Sequence, residues 1–184
     1  MRRLILAVCL VSVSVSAYAQ PVPEKRAALD KLLDALHTAP SEQIAGRLEE
    51  KIRELWVRAG TPSVTLLMSR GLRELSAGTL DEAEAVFDDA ITLDPTLAEA
   101  WHQRGIAHFR AGNLAGALRD IQETIKQEPR HFGAWLTLVR IAEAREDWKA
   151  AHDAWRHLLD IDPRTPKGEE RLKDLKRKAF GDNA

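Results

Sequence analysis

Three prolines, three alanines and two tryptophans recur along this chain at a fixed spacing of 34 residues. They are Pro95, Pro129 and Pro163, then Ala83, Ala117 and Ala151, then Trp101 and Trp135. A fixed period of this size is typical of stacked repeats, in which each unit is one supersecondary element that buries its apolar face against its neighbours. The spacing therefore predicts a repeat architecture and argues against an enzyme fold.

Each unit is predicted to contain two helices. The first helices are predicted over 65–77, 99–111 and 133–145, and the second helices over 81–93, 115–127 and 148–161. Gly78 and Gly112 stand at the ends of two first helices, where glycine tolerates the left-handed conformation that ends a helix. An acidic residue followed by proline ends each second helix, because the residue before a proline is pushed out of the α region.

The repeated positions resemble the tetratricopeptide repeat, a unit of about 34 residues that carries Trp, Gly, Ala and Pro in this order. Three units follow, at 64–97, 98–131 and 132–165. The second unit carries the pattern in full, whereas the third has Val139 and Glu146 in place of its two glycines. The resemblance implies an all-α fold, an α-solenoid of stacked antiparallel helix pairs.

Helices are also predicted on both sides of the three units. Residues 20–63 contain two stretches with apolar stripes, 24–37 and 42–59, and Ser41 is a suitable N-cap for the second. They predict a helical hairpin that caps the N-terminal end of the array. Residues 166–184 contain a charged helix over 167–180, with Thr165 as the expected N-cap. A polar terminal helix suits a C-terminal cap, because the end of a solenoid faces water.

Residues 1–19 have the layout of a cleaved secretory signal peptide. Arg2-Arg3 precede a short apolar run from Leu4 to Val15, and the ending Ala17-Tyr18-Ala19 stands before Gln20. An uncleaved membrane anchor is the alternative, although the run is short for a bilayer. The sequence therefore predicts export, most simply to a bacterial periplasm, with a eukaryotic secretory route left open.

Cleavage would change both the charge and the cysteine content of the chain. The one cysteine, Cys9, leaves with the signal, which excludes disulfides, a cysteine nucleophile and cysteine-ligated zinc from the mature protein. Two of the 27 basic residues and none of the 28 acidic residues leave with it, so acidic residues then exceed basic ones by three. Without a basic excess, nucleic acid is not expected as a partner. The mature protein is expected to be soluble, because no further long apolar run follows.

The histidines show no metal-binding or catalytic spacing. His102 and His108 are six residues apart, and His152 and His157 are five apart, so neither pair shares one face of a helix. His131 stands alone in the sequence, and no short catalytic motif is present. The expectation is a protein that is not an enzyme and binds no cofactor or metal.

The resemblance assigns the concave surface of the array to fixed positions on the first helices. Residues at these positions form an apolar strip with a polar rim, and eight of them are the predicted partner-binding residues: Met68, Leu72, His102, Ile106, Phe109, Arg110, Leu136 and Arg140. An apolar strip in an open groove suits an extended peptide or a helix. The alternative is that the chain's own terminal helices cover the strip. Arg104 is expected to brace its helix pair against Asp120 instead of binding a ligand.

These observations predict a non-enzymatic protein–protein interaction scaffold of the cell envelope, which binds a short segment of a protein or peptide partner. An accessory or regulatory subunit of an envelope enzyme complex is the alternative, and it would require ionisable side chains to converge in the groove. Self-association through the ends of the array is a third hypothesis. The charged C-terminal helix argues against stacking at that end.

Overall fold

A computed structural model describes residues 23–181 of the 184-residue chain. Within this range the chain folds into nine α-helices without a strand: α1 (Pro23–His37), α2 (Glu42–Val57), α3 (Pro62–Ala77), α4 (Leu80–Leu93), α5 (Ala98–Arg110), α6 (Leu114–Gln127), α7 (Phe132–Ala144), α8 (Trp148–Ile161) and α9 (Gly168–Phe180). None of these helices is long and apolar enough to cross a membrane. The predicted signal peptide lies outside the described residues, as do the last three residues of the predicted C-terminal segment.

Local chemistry accounts for most helix ends. The Ser41 hydroxyl accepts a hydrogen bond from the Ile44 amide at 3.4 Å and begins α2 as predicted. Gly78 ends α3 in the left-handed conformation, with φ of 84°. The start of α3 lies three residues earlier than predicted, at Pro62. Thr61 caps it, and a proline is tolerated in the first turn because its missing amide would have no partner there.

The start of α9 differs from the prediction that Thr165 is its N-cap. The helix begins at Gly168, directly after Lys167 in the left-handed conformation with φ of 58°. The Thr165 hydroxyl instead donates to the Asp162 carbonyl at 2.9 Å, within the turn that follows α8. The Thr165 side chain therefore forms a hydrogen bond within the preceding turn and does not cap α9.

Small residues let the two helices of each unit approach closely. A Cβ atom on Gly71 would lie 2.5 Å from Cε1 of Phe87, so α3 and α4 have no room for a side chain there. A Cβ atom on Gly105 would lie 3.1 Å from Cδ1 of Ile121, which belongs to α6 of the same unit. The three alanines that recur with the 34-residue period are fully buried, one in each helix pair. Close helix pairs therefore explain two of the repeated sequence positions.

The repeated tryptophans and prolines join one unit to the next. The indole N–H of Trp101 donates to the Pro95 carbonyl at 2.9 Å, and the indole N–H of Trp135 donates to the Pro129 carbonyl at 2.9 Å. In both cases the proline belongs to the preceding unit. The hydrogen bond lets a large half-buried ring pack at the junction without leaving its polar group unpaired.

The hairpin α1–α2 does not cap the first repeat, so the predicted position of this hairpin is wrong. Leu33, Leu36 and Ile52 are buried in one hydrophobic cluster with residues of α7, α8 and α9, and no described member of that cluster comes from α3 or α4. Contact with the first repeat's cluster is limited to the end of α2 and the turn after it, at Val57 and Ala59. The hairpin therefore folds back across the second and third repeats.

Polar contacts hold α1 against the turns between repeats. Arg130, in the turn after α6, forms ion pairs with Asp30 and with Asp34, the latter at 2.8 Å. Arg26 pairs with Glu128 at 2.7 Å. The Arg164 side chain donates to the Ala39 carbonyl at 2.9 Å and fixes the turn between α1 and α2. As a result, α2 becomes one wall of a groove along the repeats.

Candidate functional site: a groove between α2, α5 and α7

A groove of about 220 Å³ runs between α2 and the first helices of the second and third repeats, α5 and α7. Its walls combine apolar, aromatic and ionisable side chains: Arg53, Trp56, Glu99, His102, Gln103, Ile106, His131, Phe132, Gly133, Leu136, Thr137 and Arg140. The first repeat contributes no residue to this lining. The groove is therefore built by two repeats and the hairpin that folds onto them.

Four of the eight predicted groove residues line it, namely His102, Ile106, Leu136 and Arg140. Met68 does not, because its side chain is fully buried in the core of the first repeat, so the prediction that it contacts a partner is wrong. Leu72 and Phe109 also lie outside this lining. They are half-buried and pack against the hydrophobic clusters of the first and second repeats respectively. The guanidinium of Arg110 donates to the Leu75 carbonyl, which ties α5 to α3.

Two side chains from α2 were missed as groove residues. The apolar stripe predicted over 42–59 includes Trp56 without assigning it to the groove, and no sequence pattern points to Arg53. In the structure, Arg53 places its guanidinium 4.9 Å from the ring centroid of Phe132, and Trp56 stacks on His131. An apolar stripe shows that a helix packs against something, but not which surface it packs against.

A buried cluster of three ionisable side chains forms the base of the groove. Nε2 of His131 lies 2.8 Å from Oε2 of Glu99, and Nδ1 of His102 lies 3.5 Å from the same oxygen. The other carboxylate oxygen accepts from the Gln103 amide at 2.6 Å. Glu99 and His131 are 32 residues apart in sequence, so repeat stacking, not local spacing, brings them together.

The protonation states of Glu99 and His131 follow from burial and from their mutual contacts. Burial by itself would raise the pKa of Glu99, but the charge of His102 and the hydrogen bond from His131 outweigh it and lower the pKa below its usual 4.5. Burial and then the charge of His102 lower the pKa of His131 below 6.5, against the opposing hydrogen bond to Glu99. Near neutral pH, the cluster therefore holds an ionised carboxylate beside a neutral His131.

Glu99, His102 and His131 also meet the distance criterion for a metal site, since one ligand atom from each lies within 4.8 Å of the others. The hydrogen bonds argue against that use. Nδ1 of His131 accepts the backbone amide of Ala134 at 3.1 Å, so Nε2 must carry the proton that is shared with Glu99. A metal on Nε2 would require that proton to move to Nδ1, which already faces an amide hydrogen. Glu99 and His131 therefore fit a hydrogen-bonded pair, with His102 in contact, better than a metal centre.

Gly133 gives His102 its place at the base of the groove. A Cβ atom on Gly133 would lie 2.9 Å from Cε1 and 3.3 Å from Nε2 of the His102 ring. Thr137, one turn further along α7, donates its hydroxyl hydrogen to the Gly133 carbonyl at 2.9 Å and lies 3.4 Å from Nε2 of His102. The second and third repeats are thus in polar contact across the groove.

The repeat pattern and the helix pairs agree with comparisons to known proteins. A family model described as the tetratricopeptide repeat matches residues 102–166. A TPR repeat-containing protein of Rhizobium etli is 30% identical over 159 residues, which cover 86% of this chain and 77% of that relative. The chain belongs to the tetratricopeptide repeat family.

Solved structures of other tetratricopeptide repeat (TPR) proteins have the same fold. The crystal structure of MamA matches with a TM-score of 0.61 at 18% identity, over 88% of this chain and 86% of that one. The first TPR domain of Spaghetti (RPAP3), solved with the HSP90 peptide SRMEEVD, matches with a TM-score of 0.59 at 18% identity, over 62% of this chain and 90% of that one. At such identities the likeness concerns the fold alone.

Within the TPR array, Arg104 has the bracing contact that the sequence predicts. Its Nε and Nη2 atoms donate to the two carboxylate oxygens of Asp120 at 2.9 and 2.8 Å, a bidentate pair between α5 and α6. Asp88 in the preceding repeat accepts from Nη1. The hydrogen bond to Asp120, ahead of its charge, raises the pKa of Arg104. This arginine therefore joins two repeats and does not face the groove.

Proposed function

We propose that the protein is a non-enzymatic interaction scaffold that holds a short segment of a protein partner in the groove between α2, α5 and α7. One observation carries the proposal: an open groove lined by the half-buried apolar side chains of Ile106 and Leu136, together with the exposed side chains of Arg53 and Arg140. Apolar contacts supply affinity for a peptide and flanking charges select its sequence. The proposed segment is short, because the groove spans two repeats.

The ionisable cluster at the base of the groove supports a scaffold over a catalytic accessory subunit. Glu99 and His131 are hydrogen-bonded to each other, and each has a further hydrogen bond to the surrounding protein. A general base must instead have a lone pair directed at substrate. The bound HSP90 peptide in the Spaghetti (RPAP3) structure supports peptide binding as a use of this class of fold.

A peptide selection tests the proposal. Dodecapeptides displayed on phage are selected on the full chain, and the affinity of the enriched peptide is measured by titration calorimetry. Leu136→Ala and Arg140→Glu are expected to weaken the selected peptide at least tenfold, since removing a central apolar anchor costs about 2 kcal/mol. Arg119→Glu is the matched control, because Arg119 is an exposed residue of α6 outside the groove lining. Equal affinity in all three variants with the fold intact would place the binding surface elsewhere.

Export to the periplasm is the second part of the proposal. It rests on the sequence of residues 1–19, whose basic start, short apolar run and Ala17-Tyr18-Ala19 ending suit signal cleavage. The test is N-terminal sequencing of the protein recovered from the envelope fraction of a bacterial host. The first residue is expected at or near Gln20. Recovery of Met1 in the mature pool would contradict cleavage.

A further inference from the structure

A second cavity, of about 350 Å³, lies between the N-terminal hairpin and the turns that lead into α5 and α7, and Trp56 lines both this cavity and the groove. Its apolar residues come from α1, from α2 and the turn after it, and from the turn before α5 and the first residue of that helix: Leu29, Leu55, Trp56, Ala59, Leu97 and Ala98. The volume falls within the range of small-molecule sites, about 300–1,000 Å³. The groove and this cavity share only Trp56 and Glu99, so they are two sites.

The cavity has an unsatisfied hydrogen-bond donor in its wall. Trp56 is only 4% exposed, and its buried Nε1 atom has no hydrogen-bond partner among residues 25–181. Buried indole N–H groups usually have an acceptor, because leaving one unpaired costs free energy. The two tryptophans of the repeat pattern, Trp101 and Trp135, each donate to a proline carbonyl. Because the Nε1 atom of Trp56 is itself buried, the part of Trp56 that lines the cavity is apolar.

The two acidic residues in the cavity wall already have partners. Oε2 of Glu128 accepts from Arg26 at 2.7 Å and Oε1 accepts from the Arg130 amide at 3.1 Å. Glu99 is held by His131 and Gln103. These bonds occupy both carboxylates and leave them little capacity to attract a cation. Lys25 and Arg58 are the remaining charges of the lining. Both are exposed. Arg58 forms an ion pair with Glu54 at 3.1 Å, and Lys25 has no ion pair among residues 25–181.

From the apolar walls and the cationic rim, we infer that this cavity binds a small organic anion with an apolar body, such as a medium-chain alkyl carboxylate. The alkyl body replaces water against Leu29, Leu55 and Leu97, so its affinity comes from burial of apolar surface. The carboxylate of the ligand lies near Lys25 and Arg58 at the rim, whose charged groups can donate hydrogen bonds to it. This inference does not depend on the peptide partner proposed for the groove, because the two sites have different linings.

Titration calorimetry of the full chain with decanoate, below the concentration at which it forms micelles, tests the inference. Saturable binding of one decanoate is expected, and decyltrimethylammonium, which has the same alkyl chain and the opposite charge, is expected to bind at least tenfold more weakly. Ala59→Phe fills the cavity and should abolish binding. Circular dichroism and urea unfolding of this variant show whether it folds.

Charge reversal at the rim of the cavity provides a second test that does not depend on whether Ala59→Phe folds. Lys25→Glu and Arg58→Glu together should weaken decanoate at least fivefold. The matched control is Lys31→Glu with Arg47→Glu, two exposed basic residues of α1 and α2 outside the cavity lining. Absence of decanoate binding, equal binding of the cationic analogue, or equal losses in the rim and control pairs would each overturn the inference.

Discussion

The indole ring of Trp56 stacks on the imidazole ring of His131, with 3.9 Å between centroids and 10° between planes. This contact joins the N-terminal hairpin to the turn that begins the third repeat. It also links the wall of the groove to its base, because Nε2 at the edge of the His131 ring forms a hydrogen bond with Glu99. The position of the hairpin and the chemistry of the groove therefore depend on the same two residues.

Replacing Trp56 should release the hairpin from the repeats. Trp56→Ala removes a buried ring from a core that it shares with Phe132, and truncations of this kind cost about 3–5 kcal/mol. Hydrogen exchange in α1 and α2 is expected to rise strongly, with smaller changes in α3 to α6. Trp148→Ala is the control, because that ring is only half-buried and its loss should cost less. Unchanged protection of α1 and α2 in Trp56→Ala would contradict the docking contact.

Acid should destabilise the protein through His131 before it acts on Glu99. Both groups have a lowered pKa in the folded state, so the unfolded chain binds more protons and the free energy of unfolding falls as pH falls. The contribution of His131 is complete above pH 6.5 and is lost as pH falls below that value. The contribution of Glu99 is lost only below 4.5. Glu49 has the opposite effect on how the free energy of unfolding changes with pH, because burial raises its pKa in the folded state.

The measurement is the free energy of unfolding in urea between pH 7.5 and pH 5. His131→Asn should reduce the pH dependence in this window, since it removes the titrating ring and keeps a side-chain oxygen that can accept from Ala134 at the helix start. His37→Gln is the matched control, because it replaces an exposed histidine of α1. A wild-type protein with constant stability over this range would refute the assignment of a buried neutral His131.

Two glycine-to-alanine substitutions in helices should change the free energy of unfolding in opposite directions. Gly133→Ala brings a Cβ atom to 2.9 Å from the His102 ring, so we expect a loss of about 1–3 kcal/mol, as for other overpacked sites. Gly46→Ala lies within α2 where a Cβ atom meets nothing within 4 Å, so we expect a gain of about 0.5–1 kcal/mol from helix propensity. Thermal and urea unfolding measure both. A neutral Gly133→Ala would show that His102 moves aside freely.

The Arg104–Asp120 pair should contribute a coupling free energy within the array. The two side chains are 15% and 5% exposed and form two hydrogen bonds, so solvent screens them less than a surface pair. A double-mutant cycle with Arg104→Ala and Asp120→Ala should give about 1–3 kcal/mol of interaction in urea unfolding. Lys126 and Glu123, an exposed pair on α6, should give under about 0.5 kcal/mol in the same cycle. Equal coupling in the two pairs would argue against the bracing role.

Much of the array could be predicted because its determinants repeat within 34 residues. The Gly71–Phe87 contact and the Trp101–Pro95 and Arg104–Asp120 bonds each join residues fewer than 20 positions apart. Contacts at such distances recur whenever the repeat recurs, so their residues are visible as a period. Four of the eight predicted groove residues line the groove. Met68, His102 and Leu136 share one position of the 34-residue period, but Met68 is buried in the core of the first repeat whereas the other two line the groove, so the period alone does not decide which residues face it.

The sequence by itself determined the helices, the three repeats and the way each repeat packs on the next, because these depend on local periodicity and nearest neighbours. Tertiary structure alone decided where the hairpin lies and which ionisable groups meet in the groove. Asp30 and Arg130, which are 100 residues apart, form one of the contacts that dock the hairpin. An apolar stripe on α1 and α2 requires a buried partner surface without specifying it, and several surfaces of the array offer apolar area. The choice among them depends on shape and charge complementarity between distant residues, which no local pattern encodes.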